Sequence, residues 1–216
     1  MLKRTIYPKT KRLSINPTQI EITEKLHGEN LGIFKLDGEL IIAQRNTLYF
    51  WDTIKDYGRQ GIYKGLFGWL TDNAEEIATR LYEGSGVIGE WNLRGSMGYK
   101  FKEKFRVYAK ARIEGDSLSN YELTNIIYTQ DLIPWAFEDR IIPTCIGLAP
   151  LVRVQTDIPT KESLDVLYEA YTQSVDRKVE GFIVNYNENV EKYVRFKNNK
   201  LTEHVEGINI NDYILG

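Results

Sequence analysis

The residue best suited to chemistry is a lysine close to the N-terminus. In the segment EKLHGEN (residues 24–30), Lys25 stands two residues before His27, which is one of only two histidines in the chain. The preceding QIEI is typical of a strand, so Lys25 falls at a strand end. Such a lysine is either an ordinary surface residue or, where burial or nearby cations favour the neutral amine, a nucleophile. The pattern alone does not separate the two, because so short a motif also occurs by chance.

Two carboxylates interrupt strands that are otherwise apolar. Glu90 lies in IGEWNL, and Glu180 comes just before the apolar run of VEGFIV. A carboxylate in such a place needs a partner, because burying it without one is costly. A structural ion pair would meet that need, and so would a binding or catalytic role. Further along the chain, Arg195 and Lys197 are two residues apart in YVRFK, so they share one face of a strand.

Positive charge is concentrated in residues 94–112, which contain seven basic residues and a single acid, Glu103. The cations from residue 100 to residue 112 all occupy even positions, so one regular strand would carry them, with Tyr108, on a single face. That face would suit a nucleotide or nucleic acid, or it would simply be solvated, and this segment alone does not decide. The residues expected to contact nucleic acid are Lys100, Lys102, Lys104 and Arg106.

Composition narrows the class of protein. The chain has 216 residues, 42% of them hydrophobic, which is enough to bury a core. A net charge of −2 gives no overall basic field for nucleic acid. The single cysteine, Cys145, cannot form an internal disulfide, so we expect a reducing, cytoplasmic setting. No apolar run is long enough to cross a membrane, and no membrane partner is expected.

The predicted elements are mostly strands joined by short turns. Asp37-Gly38 is a strong signal for a two-residue hairpin turn. Helices are predicted over 71–82, capped by Thr71 or Asp72, over 117–130, and over 160–171, capped by Thr160. This order favours one domain of the α+β class, with antiparallel sheets and packed helices, over a parallel sheet. Strands are predicted over 19–26, 31–36, 39–44, 47–51, 86–93, 104–113, 150–156, 179–186 and 191–197.

Taken in order, these motifs resemble those of the covalent nucleotidyltransferase superfamily of ATP-dependent polynucleotide ligases and capping enzymes, and within it the RNA-ligase-2-type RNA ligases. The first motif of that type is matched by Lys25-Leu26-His27-Gly28-Glu29-Asn30, where DNA ligases more typically have Lys-x-Asp-Gly. Two positions depart from the family pattern. Arg195 replaces a lysine, and Ala109 stands where an aspartate is usual. The later motifs are matched by Gly89-Glu90, by Glu180-Gly181 and by Arg195-Phe196-Lys197.

The resemblance implies a nucleotidyltransferase (ATP-grasp-like) ligase catalytic domain over residues 1–216, without an OB-fold or a C-terminal helical domain. It implies ATP and Mg²⁺ (or Mn²⁺) as cofactors and a covalent lysine-AMP intermediate. AMP would pass to the 5′-phosphate of an RNA, and a 3′-hydroxyl would then seal the strand, as in RNA repair. The resemblance also leaves room for a partner protein or domain that supplies RNA affinity.

The resemblance also assigns roles to individual residues. Glu90 would bind the ribose hydroxyls, Tyr108 would stack on adenine, and Glu180 would help hold the metal. The implied catalytic residues are Lys25, Arg195 and Lys197, and the implied nucleotide-binding residues are Lys25, His27, Asn30, Arg45, Glu90, Tyr108, Glu180 and Lys197.

Two other functions stay open on the sequence alone. One is a DNA ligase or another lysine-nucleotidylating enzyme, against which His27 and the short stretch after the last motif argue. The other is a catalytically inactive module that binds nucleotide or RNA. The intact Lys25 and Glu90 argue against such a module, whereas Arg195 leaves room for it.

Charge reversal at Lys102 and Lys104 tests the basic segment. If these lysines contact phosphates, the doubly substituted protein will bind RNA more weakly, and its affinity will depend less on salt, because fewer counterions are released. The measurement is RNA binding and end-joining over a range of ionic strengths. End-joining that is unchanged at every ionic strength would mean that the segment has another purpose.

Overall fold

The computed structural model describes residues 19–44, 47–54, 65–91, 95–115, 121–186, 189–197 and 200–201. Within these residues the chain divides into two compact units. The larger unit comprises residues 28–91 and 101–148, and the smaller unit comprises residues 19–27, 95–100 and 149–201.

The described residues form strands and α-helices in the following chain order. The strands are β1 (Ile20–Glu24), β2 (Glu29–Leu36), β3 (Glu39–Gln44), β4 (Thr47–Phe50), β5 (Ser85–Trp91), β6 (Phe105–Glu114), β7 (Glu122–Ile127), β8 (Ile146–Leu148), β9 (Leu151–Gln155), β10 (Gly181–Tyr186), β11 (Asn189–Val194), β12 (Phe196–Lys197) and β13 (Lys200–Leu201). The helices are α1 (Trp51–Ile54), α2 (Leu66–Arg80) and α3 (Lys161–Val175), and short 3₁₀ helices cover Gly95–Met97, Gln130–Ala136 and Glu138–Arg140.

The larger unit is built on one twisted sheet with the strand order β4-β3-β2-β5-β6-β7. All neighbours in this order are antiparallel, and β8 adds a parallel pairing to β6. One face, here called the helix face, bears Val87 and Trp91 and packs against Leu70 and Ile77 of α2. The other, here called the Glu90 face, bears Ile88 among its buried residues. Alternation along each strand therefore separates two cores.

The smaller unit holds a four-stranded antiparallel sheet with the order β11-β10-β1-β9. Helix α3 packs against this sheet through Leu164 and Tyr168, which join Ile22 and Phe182 in a buried cluster. The pairing of β1 with β10 brings Glu24 opposite Phe182, so the residues just after β1 lie beside the start of β10. Strands β12 and β13 form a separate short hairpin.

Several sequence predictions are confirmed. The fold is of the α+β class with antiparallel sheets. The Asp37-Gly38 turn joins β2 and β3, with left-handed φ angles of 52° and 78°. Helix α3 begins after Thr160, whose hydroxyl accepts the backbone N–H of Ser163, as expected for an N-cap. No helix among the described residues is both long enough and apolar enough to span a membrane.

Two helix predictions are wrong in part or in whole. The helix expected over 117–130 is instead strand β7 in its described portion, where Leu123 is buried opposite Ile113 and β-branched residues favour the extended backbone. Helix α2 begins at Leu66, well before residue 71, because Leu66 and Leu70 extend its buried stripe. Thr71 does not cap the helix; its hydroxyl donates to the carbonyl of Phe67.

The single basic face that one regular strand over residues 100–112 would carry does not form, for two reasons. Lys100, Lys102 and Lys104 precede β6 and are exposed outside it. Within β6, Ile88 opposes Ala109 while Gly89 opposes Val107, so Tyr108 is an extra residue in a β-bulge.

Because of the bulge, even-numbered side chains before Tyr108 and even-numbered side chains after it point to opposite faces of the sheet. Arg106 opposes Glu90 and lies on the Glu90 face, whereas Lys110 opposes Val87 and lies on the helix face. The even-numbered cations are therefore divided between opposite faces of the sheet.

The bulge explains why residue 89 is glycine. A Cβ built on Gly89 would overlap the carbonyl oxygen of Arg106, which lies in the bulged strand at the point where the register with β5 shifts. Backbone cannot move aside as the tip of a side chain can, so any larger residue must displace β6. The glycine is thus required for the register that places Glu90 and Tyr108 on one face.

Substitution of Gly89 by alanine tests this explanation. We expect Gly89→Ala to lower the free energy of unfolding by about 1–3 kcal/mol, as overpacking against fixed backbone does. Gly68→Ala is the matched control, because a Cβ there meets no atom within 4 Å and lies in helix α2. The control should raise stability by about 0.5–1 kcal/mol. Equal urea midpoints for Gly89→Ala and the unsubstituted protein would refute the close approach.

Candidate active site

Lys25 lies directly after β1 in the smaller unit, and its main chain is fixed by the next strand. Its backbone N–H donates to the carbonyl of Gly181 at 2.9 Å. Its amine, Nζ, is 2.5 Å from Oε1 of Glu180. The Lys25 side chain is 22% exposed and that of Glu180 is 14% exposed. The amine is therefore held at the edge of solvent, where a ligand can reach it.

His27 binds the other oxygen of the same carboxylate. Nδ1 of His27 is 2.8 Å from Oε2 of Glu180, and the carboxylate accepts this hydrogen bond. The backbone N–H of His27 donates to the hydroxyl of Tyr99 at 3.0 Å, which fixes the turn that carries the ring. Glu180 thus joins the two polar side chains of the first motif, Lys25 and His27.

The ionisation of Glu180 follows from these contacts. Burial raises the pKa of its carboxyl group, but the hydrogen bond from His27 and the charge of Lys25 together outweigh burial. The pKa of Glu180 is consequently held below its ordinary value. The residue is an anion at neutral pH, although it is largely removed from water.

The main chain around Glu180 is fixed from both sides. Its carbonyl accepts the backbone N–H of Arg195 at 2.9 Å, and the carbonyl of the next residue, Gly181, accepts from Lys25. A Cβ built on Gly181 would overlap the carbonyl oxygen of Tyr193 in β11. The glycine is required because three segments meet here within hydrogen-bonding distance: the end of β1, the start of β10 and the end of β11.

Behind Lys25 lies a buried ion pair that the sequence did not reveal. Glu24 is 1% exposed, and its carboxylate accepts hydrogen bonds from both terminal nitrogens of Arg177. The hydroxyl of Tyr171 donates to the same carboxylate at 2.8 Å. The guanidinium of Arg177 also lies 4.8 Å from the ring centroid of Tyr99. These contacts fix the end of β1 immediately before Lys25 and connect it to the tyrosine that binds the His27 backbone.

Arg195 is directed toward helix α3. Its guanidinium donates to Asp165 at 2.7 Å and to the hydroxyl of Tyr193 at 3.1 Å, and it lies 5.2 Å from the ring centroid of Tyr168. The hydrogen bond to Tyr193 comes first among the effects that raise the pKa of Arg195. These contacts fix the end of β11, and the backbone of Arg195 in turn holds Glu180.

The larger unit brings together a second group of the predicted residues. Asn30, Glu90 and Arg106 lie side by side on β2, β5 and β6, on the Glu90 face. The side-chain amide of Asn30 donates to the hydroxyl of Tyr108 at 2.5 Å. The ring of Tyr108 is parallel to that of Tyr128, with centroids 6.3 Å apart. An amide, a carboxylate and a phenol thus line one patch of the sheet.

The remaining predicted residues fall outside these groups. Arg45 is not among the described residues, and of Lys197 only the backbone is described, in β12 opposite Lys200. Arg106 donates to Glu103 at 2.7 Å and lies 4.0 Å from the ring centroid of Phe101. Because its side chain is only 14% exposed, it anchors the loop before β6 and offers little surface to a nucleic acid. Among the predicted basic residues, Lys100, Lys102 and Lys104 are exposed.

A divalent metal fits this site only in part. No group of three or more potential metal-ligating side chains occurs among the described residues. Glu180 provides one carboxylate, and its two oxygens are already engaged by Lys25 and His27. Mg²⁺ commonly takes one or two protein carboxylates and completes its shell with water and substrate phosphates. The donor set therefore suits a metal that arrives with a phosphate ligand, and it does not form a protein-only cage.

A family model described as RNA ligase matches residues 18–199, which is most of the chain. The chain therefore belongs to the RNA ligase family, and the family predicted from the motif order is confirmed. No curated protein matches it.

Solved structures give weaker similarities. An RNA ligase from Naegleria gruberi, a mutant solved with ATP and Mn, is 12% identical with a TM-score of 0.49, over 83% of this chain and 50% of that one. A mutant of the same organism's ligase without ligand is 15% identical with a TM-score of 0.48, over the same shares. An archaeal ATP-dependent RNA ligase is 15% identical with a TM-score of 0.44, over 87% of this chain and 48% of that one. This chain spans about half the length of these proteins.

The state of Glu180 predicts how stability depends on pH. Because its folded-state pKa is lowered, Glu180 contributes stability that is complete above the ordinary carboxyl pKa of about 4.3 and is lost as pH falls through the lower folded value. In Glu180→Gln this contribution is absent. We therefore expect the free energy of unfolding of the unsubstituted protein to fall more steeply below about pH 4.3. Urea unfolding over this pH range measures the difference, and parallel pH profiles would contradict it.

Proposed function

We propose that the chain is an ATP-dependent RNA ligase that forms a covalent lysine-AMP intermediate at Lys25. The observation that carries this proposal is the contact between the Lys25 amine and the Glu180 carboxylate at 2.5 Å, at a position that a ligand can reach. The segment that carries this amine is fixed by the hydrogen bond from the Lys25 backbone to Gly181 and by the buried ion pair of Glu24 with Arg177.

The first step is attack by the Lys25 amine on the α-phosphorus of ATP. The amine must first lose a proton, and Oε1 of Glu180 is close enough to take it and pass it to water, since a carboxyl group with so low a pKa does not retain it at neutral pH. An N–P bond then forms, and the P–O bond to pyrophosphate breaks with its electrons on the leaving oxygen. In the absence of ATP the same carboxylate stabilises the ammonium, so the lysine is protected from reaction with other electrophiles.

Glu180 is the residue that would hold Mg²⁺ or Mn²⁺ together with the phosphates. A metal bound there would supply positive charge beside the triphosphate and compete with the Lys25 ammonium for the carboxylate oxygens. His27 keeps the carboxylate anionic through its hydrogen bond, which is the form in which Glu180 can accept a proton or bind a cation.

The Glu90 face of the larger unit supplies groups suited to a nucleoside. A carboxylate such as that of Glu90 accepts hydrogen bonds from ribose hydroxyls, and the ring of Tyr108 offers a stacking surface for adenine. The hydrogen bond from Asn30 and the parallel ring of Tyr128 hold Tyr108 in place. Arg45 and Lys197 remain proposed nucleotide contacts.

Arg195 would act chiefly as a positioning residue. Its guanidinium is engaged by Asp165 and Tyr193, and its backbone N–H holds the carbonyl of Glu180. An arginine cannot readily give up a proton, but it can form several directed hydrogen bonds at once. An arginine in place of the usual lysine can thus anchor the end of β11 through its side chain, and its backbone N–H there binds the Glu180 carbonyl.

The later steps would use RNA. AMP passes from Lys25 to a 5′-phosphate, and a 3′-hydroxyl then displaces AMP to form the phosphodiester bond. This activity would serve RNA repair in the cytoplasm, with residues 1–216 acting as one adenylylation domain. A partner protein or domain would raise the affinity for RNA.

Labelling with ATP that carries a radioactive α-phosphate tests the first step. In the presence of Mg²⁺ and after a denaturing gel, the unsubstituted protein should retain label and Lys25→Ala should retain none. Glu180→Gln should be labelled more slowly, by about 10²–10³-fold, the loss typical when one electrostatic partner of a reacting group is removed. Arg153→Ala is the control, because Arg153 is an exposed cation on β9 of the same unit and lies outside the contacts of Lys25 and Glu180 described above.

The outcomes separate the alternative functions. ATP binding without any covalent label would indicate an inactive module, and label from GTP but not from ATP would refute the adenylate. Nicked RNA, nicked DNA and single-stranded ends, offered to the labelled protein, would then distinguish an RNA ligase from a DNA ligase.

A further inference from the structure

The larger unit contains a cavity on the side of its sheet away from Glu90. It has a volume of about 340 Å³ and lies where β5, β6 and β7 meet the 3₁₀ helix Gln130–Ala136. Lys110 and Arg112 of β6 oppose Val87 and Ser85, so they project from the helix face. The residues that matter for its chemistry are Tyr82, Glu83, Lys110, Arg112 and Trp135.

The cavity is lined by two cations, and among the described residues neither of them forms an ion pair with an acid. Lys110 and Arg112 are two residues apart on one face, and no ion pair links either of them to a described carboxylate. Burial first, and then the charge of Arg112, lowers the pKa of Lys110. The acid that lines the cavity, Glu83, is bound elsewhere: its carboxylate accepts the backbone N–H groups of Asp37 and Gly38 in the hairpin turn. An anionic ligand would therefore find two cations available.

Aromatic rings stand beside these cations. Tyr82 is 45% exposed and Trp135 is 47% exposed, which is unusual for side chains so large. A third cation, the guanidinium of Arg140, lies 3.5 Å from the ring centroid of Trp135. Both Asp139 and Arg140 have left-handed φ angles, of 54° and 57°. Backbone of this kind is uncommon for residues other than glycine, so the surrounding structure must hold the turn that carries Arg140.

We infer that this cavity binds single-stranded RNA, with phosphates on Lys110 and Arg112 and a base stacked beside Trp135. Exposed aromatic rings interleaved with cations are the surface that single strands recognise, because every base has a face to stack and every linkage carries a charge. The volume is at the small end of the range for ligand sites and suits a single nucleotide unit. The binding of RNA in this cavity is independent of the proposed function. Only the idea that the bound RNA is a substrate for ligation rests on the proposed function.

This site differs from the two groups of residues described above. Lys110 lies on the helix face, whereas Glu90, Asn30 and Tyr108 lie on the opposite one. An RNA strand bound in the cavity would therefore leave the proposed nucleoside patch unobstructed. The cavity would act as a holding site for a part of the strand away from the end that reacts.

The test is binding of a short, fluorescent, single-stranded RNA with a 5′-hydroxyl, which cannot accept AMP. Fluorescence anisotropy over a series of KCl concentrations gives its dissociation constant for the full chain and four variants. Lys110→Gln/Arg112→Gln should bind more weakly and reduce the salt slope by about 1.4, at 0.7 for each phosphate contact on a single strand. Trp135→Ala should weaken binding at least about fivefold, whereas Trp135→Phe should keep most of the affinity. Arg153→Gln, an exposed charge on β9, is the control and should match the unsubstituted protein.

Two further measurements, on the unsubstituted protein, test the site without relying on the variants. RNA that carries 5-iodouridine, irradiated with the unsubstituted protein, should crosslink to the peptide containing Trp135 or Tyr82. Free AMP in large excess should compete only weakly. Unchanged affinity in both cavity variants, crosslinks found only elsewhere, or complete displacement by AMP would each overturn the inference. Labelling of Lys25 by ATP should be unaffected in these variants, so failure of the RNA site and failure of the proposed adenylylation are seen in separate experiments.

Discussion

The arrangement around Lys25 depends on one carboxylate. Glu180 binds the Lys25 amine through one oxygen and the His27 ring through the other. A charged group so far removed from water is tolerated only because both oxygens have partners. That requirement explains the surroundings: Gly181 allows β11 to approach, Arg195 fixes the Glu180 carbonyl, and the Glu24–Arg177 pair holds the end of β1. The fold is specific here because a small displacement would leave the carboxylate without a partner.

Two glycines show how short motifs encode tertiary structure. Gly89 and Gly181 each precede or follow a carboxylate of interest, and each lies where the backbone of a neighbouring strand leaves no room for a Cβ. In both cases the glycine sets the position of the adjacent acid, Glu90 or Glu180. In the pairs Gly89-Glu90 and Glu180-Gly181, the glycine therefore allows the neighbouring strand to come close, and the glutamate takes its position from that close approach.

The sequence predicted local features well and long-range ones poorly. The Asp37-Gly38 turn, the Thr160 cap and the motif order needed only neighbouring residues or a family resemblance. The bulge at Tyr108 could not be predicted, because strict alternation in the sequence continues through it and only the pairing with β5 reveals it. The Glu24–Arg177 pair joins residues 153 positions apart, for which a single sequence carries no signal. The sequence predicts a helix where β7 forms, because the burial of this strand depends on Ile113 in the neighbouring strand.

The proposed function requires that the amine of Lys25, and no other group, form a bond to phosphorus. This can be tested by tandem mass spectrometry of peptides, made after the purified protein has reacted with ATP and Mg²⁺. A single AMP adduct is expected, and fragment ions should place it on Lys25. An adduct on any other residue, or bound ATP with no adduct on any peptide, would contradict it.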